Sequence, residues 1–250
     1  MSGIHQTITR LRELRMGAMA DALSTQLDTP SLQQFSFEDR LGMLVEREWS
    51  ERENKKLKRL IKGAALPEPA NLEDLDSRAS RQLDRSLVSS LSTCEWINRR
   101  QNLIILGATG VGKTWLACAF GTQACRLKLS VVFYRASDLY ADIGSAMLDG
   151  SLPKLKAALI KPQLLVLDDF GIGNLNAQAA HVLLDVVDRR MRSGSILITS
   201  QYPTDQWHGL FPDPTIADAI LDRVVHQAHR LQLKGESMRK LHAAKRMQAT

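Results

Sequence analysis

Aromatic side chains are scarce in this 250-residue chain: 4 Trp, 3 Tyr and 6 Phe. So few argue against a platform that stacks the bases of single-stranded nucleic acid. Cysteine is equally sparse. Cys94, Cys118 and Cys125 form an odd, scattered set with no C-x-x-C pair, which supports neither a disulfide framework nor a zinc site. His226-x-x-His229 has no third ligand within sequence reach, so it reads as a helix or strand-edge pair. Apolar runs such as Leu103–Leu106 and Leu164–Leu167 fall far short of the ~20 residues that span a bilayer. The opening Met1-Ser-Gly-Ile-His-Gln6 lacks the basic-then-apolar pattern of a secretory signal. Internal repeats and low-complexity segments are missing as well. A soluble, cytoplasmic protein without a membrane partner is expected.

What is present is ordinary in bulk and uneven in detail. The chain is 44% hydrophobic and 24% charged, as globular domains are. Its length allows one large domain, or a standard domain with an appendage. The formal net charge is +6, from 33 Lys and Arg against 27 Asp and Glu. Residues 138–222 are net acidic, whereas 77–137 and 223–250 are net basic. Such a balance tilts toward a polyanion, and with few aromatics the backbone of a duplex suits it better than unstacked bases.

Hydrophobic periodicity divides the chain. Ile4, Ile8, Leu11, Leu14 and Ala18 predict a helix over 4–24, ended near Asp28-Thr-Pro30. A second helix is predicted over 36–62, opened by a capping box of Ser36 and Asp39. It carries the stripe Phe37, Leu41, Leu44, Val45 and Trp49. Its basic tail includes Lys55, Lys56, Lys58 and Arg59, read either as a solvated helix end or as a duplex-backbone contact. Gly63-Ala-Ala-Leu-Pro-Glu-Pro69 closes this all-α module, giving an expected division into 1–66 and 67–250, with 67–100 as linker and lead-in helices. Beyond residue 100, strands at 102–106, 130–135, 163–167, 195–199 and 230–233 alternate with helices at 114–127, 137–160, 176–192 and 215–227. That alternation predicts an α/β fold with a parallel sheet covered on both faces.

The most specific pattern is G-x-x-x-x-G-K-T: Gly107, Ala108, Thr109, Gly110, Val111, Gly112, Lys113 and Thr114. It follows a strand and opens a helix, the context in which glycine-rich backbone N–H groups cradle phosphates. Lys113 would reach the β and γ phosphates, and Thr114 would hold Mg²⁺. Trp115, next in line, borders the nucleotide site or belongs to the core. Leu164-Leu-Val-Leu-Asp-Asp-Phe170 places two carboxylates at the C-terminal end of a buried strand, where open α/β sheets bind ligands. Asp168 would orient Mg²⁺, and Asp169 would polarise the attacking water. Ser195–Gln201 is a further strand that would lie beside it and aim Ser200 or Gln201 at the γ phosphate. Arg223 and Arg239 are candidate sensors of phosphate charge, one in cis and one donated by a neighbouring subunit. ATP and Mg²⁺ are the expected cofactors, and ATP hydrolysis the expected activity. A P-loop kinase of small molecules, and a DNA scaffold with a degenerate nucleotide site, remain alternatives on the motifs alone.

The succession GATGVGKT, LLVLDDFG, ILITSQYP, DRVVHQAHRLQL and GESMRK resembles the DnaC-like branch of AAA+ P-loop ATPases. Within it the chain is most similar to the IstB family, ATP-binding helpers of bacterial insertion-sequence transposases. Trp207-His208, Asp213–Arg223, Lys234–Lys240 and, upstream, Glu46–Asn54 carry that resemblance. It implies an AAA+ domain in which Lys113 and Thr114 form the Walker A pair and Asp168 and Asp169 the Walker B pair. Arg223 would be a trans arginine finger in a homo-oligomer, and Arg239 the sensor II residue. It also implies assembly on duplex DNA without sequence preference, and presentation of target DNA to an RNase H-fold transposase. From the clade's fold, Lys154 and Lys156 become further candidate DNA contacts. A replicative helicase loader is the alternative within the same branch.

Overall fold

In the computed structural model, residues 3–75 and 83–238 are described. The chain divides into two compact units, Met1–Arg59 and Leu60–Thr250, so the division falls before the Gly63–Pro69 break.

The first unit is helical. Helices α1 (Gly3–Glu13) and α2 (Gly17–Asp28) replace the single helix expected over 4–24. The break is at Leu14-Arg15-Met16, where Arg15 takes a left-handed φ of 59°, a conformation that cannot continue a right-handed helix. Helix α3 (Phe37–Ala64) begins as its capping box requires. The Asp39 amide donates to Ser36 Oγ at 3.1 Å, and that hydroxyl donates to the Asp39 carboxylate at 2.8 Å. Glu48 is buried on the inner face of α3, taking the Met19 amide at 3.1 Å and Arg52 at 2.7 Å. Arg52 and that amide together hold its carboxyl below the usual range, against its desolvation.

The second unit is the α/β body. After α4 (Arg85–Ser92) and α5 (Glu95–Asn98) come β1 (Asn102–Gly107), α6 (Lys113–Arg126), β2 (Val131–Arg135), α7 (Ala136–Asp149) and α8 (Leu152–Ile160). Then follow β3 (Leu164–Asp168), α9 (Ala177–Ser193), β4 (Ser195–Ser200), α10 (Pro214–Val225) and β5 (Ala228–Leu233). The helix expected over 137–160 is thus two helices. Gly150 at φ 78° ends α7, and Pro153 sits in the first turn of α8, where its missing N–H costs nothing. Asn176 caps α9 through the Ala179 amide, and Asp213 caps α10 through the Thr215 amide, both at 2.8 Å.

The five strands form one parallel sheet in the order β2-β3-β4-β1-β5. β1, β3 and β4 are buried along their whole length, which explains why they read as continuous apolar runs rather than alternating ones. Ile104, Leu106, Leu165, Leu167, Ile196 and Ile198 pack on one face with α7, α9 and α10. Helix α6 contacts β1, β3 and β4, and the period-two alternation directs Leu103, Ile105, Leu164, Val166 and Leu197 toward it. The same parity carries Asp168 and Thr199 to the α6 side. No helix among the described residues is long and apolar enough to cross a membrane.

Candidate functional site

At the C-terminal end of the sheet, the β1–α6 loop curls over the first turn of α6. Gly110 and Gly112 take φ of 84° and 97°, which L side chains rarely adopt. Gly107 is required by crowding, since a Cβ there would lie 2.6 Å from the Leu233 carbonyl oxygen. A Cβ on Gly110 would strike Ser237, and the Gly110 carbonyl accepts the Met238 amide at 2.9 Å. The chain beyond β5 therefore runs back against the loop. Arg239 lies outside the described residues.

Lys113 is 6% exposed, and its ammonium donates to the Ala108 carbonyl at 3.1 Å. Burial lowers its pKa, and Asp169 and Asp168 work against that shift. Thr114 Oγ1 donates to Asp168, at 2.9 Å from Oδ2 and 3.1 Å from Oδ1. Asp168 is fully buried. Its desolvation, with Asp169 beside it, raises its pKa despite hydrogen bonds from Thr199 and Thr114 and the opposing charge of Arg135. A buried carboxylate whose two strongest partners are neutral hydroxyls is short of positive charge. The hard oxygens of Asp168 and Thr114 meet at one point, as a Mg²⁺ site requires. Asp169 follows at φ 55°, in the left-handed region, where aspartate is tolerated better than most residues.

The last two residues of β4 and the one after it each hold a different part of this site. Thr199 Oγ1 donates to Asp168 Oδ1 at 2.6 Å and accepts the Asp169 amide at 2.9 Å. Ser200 points to the other face, donating to the Phe170 carbonyl at 2.7 Å. Gln201 lies beyond the strand, where its Oε1 accepts the Thr109 hydroxyl at 2.8 Å. Of the two residues expected to face the phosphates, Gln201 reaches the loop and Ser200 supports the turn after β3.

Two residues at the site were missed in sequence. Strand parity sets only the face of Thr199; it is the register Leu167↔Ile198 that puts it opposite Asp168 one step on. Arg135, which ends β2, is paired in register with Asp168 itself. Trp115, half-buried, packs against Ala70, Cys118 and Ala119.

Other candidates lie elsewhere. Arg223 is near the start of β1, where Asn102 donates to its carbonyl at 3.4 Å. The strand from there to Gly107 covers roughly 16 Å at about 3.3 Å per residue. Arg223 is thus at the opposite end of the sheet from its own chain's loop, ion-paired with Asp188. Lys154 is exposed, while Lys156 pairs with Asp185 at 2.8 Å. Lys56, Lys58 and Arg59 are exposed on α3, as is Lys55, which pairs with Glu51 at 3.4 Å. His226 pairs with Asp222 and His229 with Gln101.

Comparison with known proteins gives this geometry a context. Residues 9–246 match the family model described as IstB-like ATP binding protein. A protein of Sinorhizobium fredii (strain NBRC 101917 / NGR234) named for ATP binding in an insertion sequence is 44% identical, over 94% of this chain and 96% of its own. A similarly named protein of Mycobacterium tuberculosis (strain ATCC 25618 / H37Rv) is 30% identical over 92% of both chains. Among solved structures, DnaI superposes with a TM-score of 0.55 at 19% identity, covering 66% of this chain and 91% of that one. The DnaC helicase loader gives 0.51 at 20% identity, covering 66% and 97%. These last two show a shared AAA+ fold.

Proposed function

Because the chain belongs to the IstB-like family of insertion-sequence ATP-binding proteins, we propose that it is an ATP-hydrolysing transposition helper. In this reading it assembles on duplex DNA and presents that DNA to its transposase. The observation that carries the proposal is the convergence of Thr114 and Asp168 at 2.9 Å beneath a loop that also aims Lys113. The loop amides and Lys113 would bind the phosphates. Magnesium held by Thr114 and Asp168 would neutralise charge on the β and γ phosphates. Asp169 would take up the proton of the attacking water, on a shorter arm than the usual glutamate, which suits slow turnover. Gln201, already on Thr109, would sense the terminal phosphate.

Arg223 faces away from its own loop, so it would serve the nucleotide of a neighbouring protomer, stabilising charge that develops on the transferred phosphoryl group. ATP would then build the assembly, and hydrolysis would dissolve it. Basic residues of α3, with Lys154, would supply a salt-sensitive, sequence-independent hold on the DNA backbone. The DNA and transposase roles extend from the insertion-sequence relatives. The helicase-loader alternative has only the shared fold behind it.

Phosphate release with and without duplex DNA tests the reading. Wild type should release phosphate, faster on DNA, and form ordered oligomers only with DNA and a slowly hydrolysed ATP analogue. Lys113→Ala should lose nucleotide binding by about 100-fold or more, since the phosphates lose a buried charged partner. Equal oligomers without nucleotide would overturn the proposal.

A further inference from the structure

Thr199 is fully buried at the end of β4, and its single hydroxyl is fully used. It donates its proton to Asp168 and accepts the backbone N–H of Asp169. One oxygen is therefore fixed to both acids of the site. We propose that Thr199 is a positioning residue for hydrolysis, setting Asp168 as metal ligand and Asp169 as the group facing water. This rests on the reading of the site as an ATPase.

Asp168 lies at the end of β3, with Thr199 donating to Oδ1 at 2.6 Å and Thr114 reaching Oδ2 at 2.9 Å and Oδ1 at 3.1 Å. Two donors on one carboxylate fix its plane and so limit the directions in which it can meet a cation. Asp169 is in the left-handed region at φ 55°, a strained setting for a residue with a Cβ. Its amide would be an unpaired donor there without the Thr199 oxygen. The hydroxyl thus holds the left-handed backbone turn at Asp169. Ser200 reinforces the same turn from the opposite face through the Phe170 carbonyl, and the Phe170 amide bonds the Thr199 carbonyl at 2.8 Å. Residues of β4 consequently hold the β3 turn at four points, two of them on the Thr199 hydroxyl.

The test compares Thr199→Val, which keeps the shape and removes the hydroxyl, with Thr199→Ser, which restores it. Three readings are taken on the full chain: nucleotide affinity in EDTA, the Mg²⁺ concentration giving half of the metal-dependent gain in affinity, and kcat against KM on duplex DNA. Thr199→Val should bind nucleotide in EDTA as wild type does, which also reports that it is folded. Its Mg²⁺ requirement should rise severalfold and its kcat fall about 10- to 100-fold, the range for losing a hydrogen bond to a charged group. Thr199→Ser should recover most of both. Wild-type Mg²⁺ dependence and kcat in Thr199→Val would overturn the assignment, as would equal losses in the serine variant. If wild type hydrolyses nothing, the ATPase reading fails, and the Mg²⁺ titration still decides whether Thr199 sets the metal site.

Discussion

The two ends of the parallel sheet both bury charge and treat it in opposite ways. At the N-terminal end Arg190, fully buried, donates to the carbonyls of Leu159, Ile160, Pro162, Gln163 and Ser195, at 2.5 to 3.3 Å. Only its Nε has no partner among the described residues. Burial lowers its pKa to about 10, leaving it charged at neutral pH. At the C-terminal end Lys113 has one carbonyl, and Asp168 has two hydroxyls and a raised pKa. The first end is complete within the protomer, and its charge fastens the end of α8 to β3 and β4. The second is left short of partners of opposite charge, which is how a binding site differs from a structural network.

Replacing Arg190 should have the largest effect on the folded protomer. Arg190→Met keeps much of the volume and strands up to four carbonyls, since that of Gln163 keeps the Ser195 amide. A loss of about 3–5 kcal/mol is expected from buried groups left unpaired, lowering Tm by about 10 °C for a chain of this size. Nucleotide affinity of the molecules that remain folded should be unchanged. Denaturant melts paired with nucleotide titration would show it. If Arg190→Met kept its Tm but lost nucleotide, the contrast between the two ends would collapse.

The opposite sign is expected at the other end. The folded pKa of Asp168 lies above the usual carboxylate value of 3.8, so the fold favours the protonated acid. Its contribution to stability is fully present below that usual value and is lost as pH rises through the raised one. At neutral pH the ionised carboxylate therefore costs the nucleotide-free protein stability. Asp168→Asn should raise its Tm while removing the metal-dependent gain in nucleotide affinity, about tenfold or more. If Asp168 holds Mg²⁺ as proposed, the metal would compete with the proton there, so metal affinity should decline as pH falls, beginning above the ordinary carboxylate range. A lower Tm for Asp168→Asn at pH 7 would refute the claim that this end is held at a cost.

How much of this was legible in sequence follows from how local each feature is. The phosphate loop is contiguous, and its glycines, Lys113 and Thr114 were legible because backbone chemistry dictates them in order. The strands were legible because burial on both faces leaves unbroken apolar runs such as Leu164–Leu167. Thr199 was hidden because Asp168 lies 31 residues away and only the strand register joins them; the parity that turns Thr199 toward Asp168 turns Ser200 away. The breaks at Arg15 and Gly150 were missed because apolar spacing continues across both, and a single left-handed residue leaves no mark on periodicity. Arg190 gave no signal at all, since an arginine near a helix end reads as a solvated dipole partner until its five carbonyls are in view.

The smallest effect on the protomer, and the sharpest on the comparison, belongs to Arg223. It stands at the finished end of the sheet, yet its ties are modest: Asp188, about half exposed, and the Ala219 carbonyl at 2.6 Å. Arg223→Ala should change stability by no more than about 1 kcal/mol and leave nucleotide affinity near wild type. If Arg223 completes a neighbour's site, hydrolysis on DNA should fall about 10³-fold. Mixing makes the location decisive. In an assembly of Arg223→Ala and Lys113→Ala protomers, the first supplies an intact phosphate loop and the second an intact arginine, so part of the activity should return. Without recovery on mixing, Arg223 belongs with Arg190 as a structural group, and the N-terminal end of the sheet has no part in the chemistry.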